Sequence, residues 1–317
     1  MGSKRAGEIV AVVVVALALI ALWGGARTKA IPAFRLRPAR AMAAAPAPRA
    51  AYTPSRYFSD LGNLVLSDPA SAVKKAAQLY EDHFAAAPPA IREEAFLRFR
   101  EFHRTVEERA NRAMQTRLQE LFRTTSAGKG FASVKQLAAE MNAGEEYRAA
   151  GLALVYEGEG AWTVTAAEGF YTRTFGEWLS PAYRDFLALE DVENNHRWAM
   201  DAALVIPLEE LGRRLAAWET YRRKYPDSPF ALVAKRNYVN QLSAFLFGLD
   251  NTPPFDRATK KVRPAVVEAL TGYVAANPGT PSAKLAAQVL ELYKKHKYVY
   301  DEALRKELGQ LSAAARQ

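Results

Sequence analysis

Tyr221-Arg222-Arg223-Lys224-Tyr225-Pro226-Asp227-Ser228-Pro229-Phe230-Ala231 decides the fold, because its pattern returns 52 residues later as Tyr273, Asn277-Pro278-Gly279-Thr280-Pro281 and Ala283. Each copy lies between two amphipathic stretches. Proline after Tyr225 or Asn277 stops the first stretch from continuing as a helix. Ser228 or Thr280 is placed to cap a second helix by accepting from its free amides. Pro229 or Pro281 then occupies a first turn, where a missing N–H costs nothing. Ala231 or Ala283 is small enough for two helix backbones to approach. Trp218/Leu270 and Tyr221/Tyr273 supply the rows that pack. The reading is a pair of helical hairpins, with a fainter copy at Tyr80, Phe84, Pro88 and Ala90. Three copies at unequal spacing predict hairpins with insertions, not a regular solenoid.

The same logic extends outward over 57–317. Ser67-Asp68-Pro69 opens a helix that Pro88-Pro89 ends. From Ala90 to Leu121, apolar residues recur at three- and four-residue spacings with charge on the other face, which predicts one long amphipathic helix. A shorter helix covers 131–141. The period then changes. Leu152–Tyr156 and Ala161–Thr165 are rich in β-branched and aromatic residues and flank a glycine-bearing turn, so they read as a β-hairpin. Short helices at 170–178 and 181–194 follow, then the hairpins themselves and helices at 264–276, 281–297 and 300–313. The expected fold class is mainly α: an irregular array of α-hairpins with one β-hairpin insertion. Within the body, the divisions expected are 57–150, 151–200 and 201–317.

The recurrent turn resembles the tetratricopeptide-like helix–turn–helix repeats of bacterial envelope proteins, including outer-membrane assembly and Tol–Pal accessory proteins. The resemblance covers about 207–297, with 69–122 as a further stretch. It implies paired helices and a groove that binds protein. The chain departs from those repeats in its uneven period and in the hairpin at 152–165.

Ahead of the body, Ile9 to Trp23 is apolar without interruption, and Lys4 and Arg5 precede it. With Gly24, Gly25 and Ala26 the run reaches 18 residues, inside the roughly 17–25 that span a bilayer. A retained anchor, a cleaved signal and a core helix compete; a core helix would have a polar face, and this run has none. The expectation is a signal-anchor over 1–26 with an extracytoplasmic body. Secretion after cleavage is one alternative. A cytoplasmic body is another, because Arg27, Lys29, Arg35, Arg37 and Arg40 outnumber Lys4 and Arg5. Residues 27–56 form a Pro/Ala/Arg-rich spacer.

Charge follows the same division. The net charge is +9, and residues 1–59 hold nine Lys or Arg against Glu8 alone, leaving a surplus of one for everything after. A basic tail beside an apolar run suits anionic lipid, whereas DNA binding by a fold needs a basic face on the fold. No nucleic-acid partner is therefore expected. The chain has no cysteine, which excludes disulfides and thiolate zinc sites.

No catalytic motif survives inspection. His83, His103, His196 and His296 are dispersed, so no helix offers two imidazoles to a metal. His103 with Glu107 could form one edge of a site; a solvated charge pair is the plainer reading. Gly128-Lys129-Gly130 lacks the earlier glycine and the hydroxyl of a phosphate loop. Glu157 and Glu159 pair carboxylates on the hairpin turn, and Tyr156, Trp162, Tyr171 and Trp178 are the candidate binding residues, offering rings that could stack on sugars. Asn194–Trp198, Lys260-Lys261 and Lys294–Lys297 read as loop or solvated faces. No metal or cofactor is expected. The expected function is non-enzymatic protein binding or assembly at the cell envelope. Polysaccharide association and a hydrolase built from distant residues are the alternatives.

Overall fold

A computed structural model describes residues 52–65, 67–124, 130–158 and 161–315. The anchor, the spacer up to residue 51, the Gly128-Lys129 fragment and Glu159 lie outside these residues. Among the described residues twelve helices dominate: α1 (Pro54–Leu64), α2 (Pro69–Phe84), α3 (Pro89–Thr124), α4 (Gly130–Ala143), α5 (Glu145–Ala149), α6 (Phe170–Phe175), α7 (Pro181–Asn195), α8 (Leu208–Lys224), α9 (Ala231–Phe247), α10 (Pro264–Ala276), α11 (Pro281–Lys295) and α12 (Glu302–Ala315). Between them lie an antiparallel ribbon of β1 (Leu152–Gly158) and β2 (Ala161–Ala166), and a two-residue pair, β3 (Ala199–Met200) and β4 (Ala203–Leu204). Among the described residues no helix is long and apolar enough to cross a membrane.

Proline and a capping side chain open several helices as the sequence predicts. Asp68 accepts from Ser71 N–H at 2.9 Å ahead of Pro69, and Thr280 accepts from Ala283 N–H at 3.2 Å ahead of Pro281. The same device opens α1, where Thr53 precedes Pro54 and accepts from Arg56 N–H. That helix begins inside the stretch the composition assigns to the spacer. The first copy of the recurrent turn behaves differently. Ser228 accepts from Phe230 N–H at 3.2 Å, and α9 starts only at Ala231. Pro229 therefore precedes the helix instead of forming its first turn. The extra turn delivers Phe230 to α7, where its ring stacks on Phe186 at 3.9 Å.

The core is aromatic. Tyr80, Phe84, Phe96, Phe99 and Phe175 are all fully buried where α1, α2, α3 and α6 meet. Tyr57 on α1 donates its hydroxyl to the Ala76 carbonyl on α2 at 2.7 Å. In the C-terminal half α8 packs on α9 and α10 on α11, so the recurrent turns each join two packed helices. Tyr221 and Tyr273 are buried, and each meets a serine hydroxyl at 2.7 Å: Tyr221 that of Ser228, Tyr273 that of Ser282.

The β1–β2 ribbon has two free edges, and both are closed by asparagine. Leu154 and Val164 face each other across the ribbon. Asn142 on α4 accepts from Leu154 N–H at 2.7 Å and donates to its carbonyl at 3.0 Å. Asn111 on α3 does the same for Val164, at 2.7 Å each way. Each side-chain amide thus imitates one rung of a neighbouring strand, and the outward backbone groups of that rung are satisfied without a third strand. This seats the ribbon between α3 and α4.

Candidate functional site

A cavity lies between the leading helices of the two C-terminal hairpins. From α8 it is lined by Glu209, Gly212, Arg213 and Ala216; from α10 by Glu268, Ala269, Gly272 and Ala276; its volume is about 460 Å³. Its far wall is Phe245 of α9, which also lines a more apolar cavity of about 200 Å³ beside Leu208, Ala265 and Val266. The two cavities adjoin at Phe245 and together form the cleft between α8 and α10.

The cleft exists because both helices turn most of their large residues elsewhere, with Tyr273 of α10 left on the lining. Leu211, Leu215 and Trp218 of α8, and Leu270 of α10, are buried in the core. Small residues one turn apart, Gly212 with Ala216 and Gly272 with Ala276, are left on the cleft. At Gly212 a methyl group would sit 3.1 Å from the Phe245 and Tyr273 rings. At Gly272 it would meet nothing within 4 Å. The charges on the larger cavity's lining are Glu209 and Glu268 against Arg213, and Arg263 lines the smaller cavity.

Two features hold this geometry. Glu219 of α8 is buried, and it accepts from the Ser282 N–H at 3.1 Å and from the Ser282 hydroxyl at the start of α11. A carboxylate at a helix N-terminus is favoured by the free amides and the helix dipole. Tyr273 shares the Ser282 hydroxyl, and burial pushes its phenol up to about 12, so it stays a neutral hydrogen-bonding group. This contact ties one hairpin to the next. At the cleft's end, Leu204 N–H donates to the Thr252 hydroxyl at 2.9 Å and Asn251 N–H to the Ala202 carbonyl at 2.9 Å, joining the β3–β4 turn to the loop after α9. Gly248 leaves α9 with φ +76°, and a side chain there would lie 2.7 Å from Pro254.

The four aromatics proposed from sequence fall in different surroundings. Tyr156 and Trp162 face each other across the ribbon with ring centres 5.2 Å apart. Trp162 is only 6% exposed, which leaves little of its face for a ligand. Trp178 packs near Tyr80 at 5.7 Å. Tyr171 lies on α6 beside a second, polar cavity of about 390 Å³ with Arg100, Glu107 and Glu190. Among the described residues no ring contact joins Tyr171 or Trp178 to the Tyr156–Trp162 pair. Glu157 is engaged by the Arg197 guanidinium, so the loop after α7 reaches back to the ribbon.

His103, expected to form a solvated charge pair with Glu107, is instead buried behind two residues of the polar cavity's lining, Glu107 and Tyr171. His103 is fully buried and stacks on Phe170 at 4.7 Å. Its Nε2 faces the Ala150 carbonyl at 2.8 Å. A carbonyl only accepts, so Nε2 carries a hydrogen. Nδ1 faces both the Tyr171 hydroxyl at 2.8 Å and Glu107 at 3.0 Å. Burial pushes the Tyr171 phenol well above its ordinary value. The cluster ties α3 to the segment before the ribbon and to α6. Among the described residues no three His, Asp or Glu side chains gather as metal ligands.

No protein-family model, no curated protein and no solved structure matches this chain.

Proposed function

We propose that the chain is a membrane-tethered, exported binding or assembly factor of the cell envelope, without catalytic activity. We further propose that its C-terminal hairpins work as tetratricopeptide-like repeats and hold a protein segment in the cleft between α8 and α10. The observation that carries this reading is the cleft itself: open, floored by small residues, and held by the buried Glu219–Ser282 contact. A floor of glycine and alanine admits a bulky apolar side chain close to the backbone. In the larger cavity Glu209 and Glu268 outnumber Arg213, which favours a basic residue on that side of the anchor. The partner class is therefore a segment with one large apolar residue and a basic neighbour.

Photo-crosslinking tests the cleft. A crosslinking residue at Gly272, where added atoms meet only open space, should capture one defined protein. The same residue at Leu232, 83% exposed on α9, should not. With the crosslinking residue moved to Ala276 on the same lining, Gly272→Trp should fill the floor and abolish capture while leaving the melting temperature within a degree or so of the parent. Equal capture at both positions, or capture that survives Gly272→Trp, would remove the cleft as the site.

Export is tested separately. Because the chain lacks cysteine, Leu232→Cys provides a single exposed thiol. A membrane-impermeant maleimide should label it in intact cells. Labelling that appears only after lysis places the body in the cytoplasm.

A further inference from the structure

Lys260-Lys261 and Lys294–Lys297 are separated in sequence by all of α10 and most of α11, yet the fold brings them together. Val262 N–H donates to the Tyr298 carbonyl at 2.8 Å, and Tyr300 N–H donates to the Lys260 carbonyl at 2.7 Å. Lys261 faces Val299 across an antiparallel bridge, so the two side chains project from the same side. That side is outward: Lys261 is exposed, Val299 is 38% exposed and its neighbour Tyr298 42%. The Lys260 ammonium lies 5.9 Å from the centre of the Phe255 ring, which stacks on Tyr300 at 3.8 Å.

The acids nearby are already engaged. Lys295 pairs with Glu307 at 2.8 Å, and His296 lies between Asp301 and Glu307. Asp256 accepts from Thr259 N–H and Asp301 from Leu304 N–H. Lys260, Lys261, Lys294 and Lys297 make no ion pair with any described residue. In a body whose charges nearly balance, this corner is a local excess of positive charge. Its backbone is also unusual. Lys260, Lys297 and Tyr298 have φ of 58°, 51° and 59°, a region that side-chain-bearing residues seldom occupy and that is found where function holds it in place.

We propose that this corner docks on an anionic lipid surface, with Tyr298 and Val299 entering the headgroup layer and the four lysines meeting lipid phosphates. Lysine supplies the attraction to acidic lipid. An exposed aromatic beside an aliphatic residue supplies what phosphate alone would not require, an affinity for the boundary between water and hydrocarbon. None of the four lysines lines the cleft.

Val299→Cys gives a single attachment point for an environment-sensitive dye in an otherwise cysteine-free chain. The full-length protein is reconstituted in nanodiscs of phosphatidylcholine, with or without phosphatidylglycerol. A blue shift in the anionic discs only, reversed by high salt, is the expected result. Lys260→Gln, Lys261→Gln and Lys297→Gln together should weaken docking on the order of a hundredfold, at roughly fivefold per lysine. Lys235→Glu, on α9, should leave it unchanged. A dye at Lys294→Cys, on regular helix, repeats the reading without altering the left-handed turn. If the protein does not incorporate into discs, the tether has failed, and the same dye is read with vesicles of the two compositions added from outside. No shift with anionic lipid, or an equal shift in both discs, overturns the proposal. A shift that soluble polyphosphate produces in phosphatidylcholine discs reassigns the corner to a soluble polyanion and equally overturns it.

Discussion

Trp218→Ala should lower the stability of the helical body by about 3–5 kcal/mol, the range for removing a large aromatic from a packed core. The indole is fully buried. It meets Phe186 edge-on at 6.1 Å and Tyr221 at 6.2 Å. Truncation opens a cavity between α7 and α8 that rigid neighbours on two helices cannot fill. It also removes a hydrogen bond, because the indole N–H donates to Glu193 at 2.9 Å. Gln241 donates to the same carboxylate at 2.6 Å and Arg214 lies 3.6 Å from it, so Glu193 is not orphaned and the two losses do not simply add. Trp218→Phe isolates the polar part: most of the packing stays, the donor goes, and the loss should be roughly 1.5–3 kcal/mol, as for hydrogen bonds to charged groups. Urea unfolding of the three proteins measures both values. An alanine variant that loses less than about 1 kcal/mol would mean that the first hairpin does not pack around this ring.

Where one local rule fixes the structure, the sequence is readable. Asp68-Pro69 and Thr280-Pro281 open helices because cap and proline act on the backbone beside them. The β1–β2 ribbon follows from residue type and a glycine turn, but the register that pairs Tyr156 with Trp162 does not, because it depends on a shift at Glu157 between Tyr156 and Gly158. Reading fails where a distant contact chooses among local options. Ser228 has the chemistry of a cap, yet the chain makes a further turn because burying Phe230 against Phe186 outweighs starting the helix two residues earlier. Thr53-Pro54 carries the same opening signal as the other helices, masked by the Pro- and Ala-rich composition before it. Each strand of β3–β4 is two residues long, too short for any period, and Asn251 on a loop far along the chain helps hold their turn.

The candidate site is less legible than the fold for the same reason. Gly212/Ala216 and Gly272/Ala276 are visible as small pairs at helical spacing. Only the packing of α8 beside α10 makes them two sides of one cleft. His103 and Glu107 can be paired by inspection, but nothing local in the sequence brings Tyr171 or the Ala150 carbonyl to the same ring. The two lysine runs each look like solvated surface until the backbone bonds between 260–262 and 298–300 join them.

Arg100→Met should cost about 2–3 kcal/mol near neutral pH, and the loss should shrink in acid. Arg100 donates to both oxygens of Glu190, at 2.7 and 2.9 Å. Its guanidinium lies 5.2 Å from the centre of the Tyr171 ring and 5.3 Å from that of Phe230. One side chain of α3 thereby joins α6, α7 and the turn before α9. Removing one partner of a fully buried pair costs roughly 3–5 kcal/mol. Here 22% and 18% of the two side chains remain exposed, so the figure is reduced for residual solvation. Burial already pushes the Glu190 carboxyl above its ordinary value, and Arg100 opposes that push. Without Arg100 the folded-state pKa rises further. Between the unfolded pKa and this higher folded one, the native variant binds more protons than the unfolded chain, so its stability falls as pH rises through the window. Below the window Glu190 is neutral and needs no counter-charge. Adding Glu190→Gln to Arg100→Met should remove the pH dependence and recover part of the loss, since the charge is gone while the amide keeps the shape. Urea unfolding across the carboxylate range, taken as differences from the parent, isolates this contribution from other titrating groups. A difference that stays flat with pH would show that Glu190 has solvent enough without Arg100, and that aromatic packing of the guanidinium, not the ion pair, joins these elements.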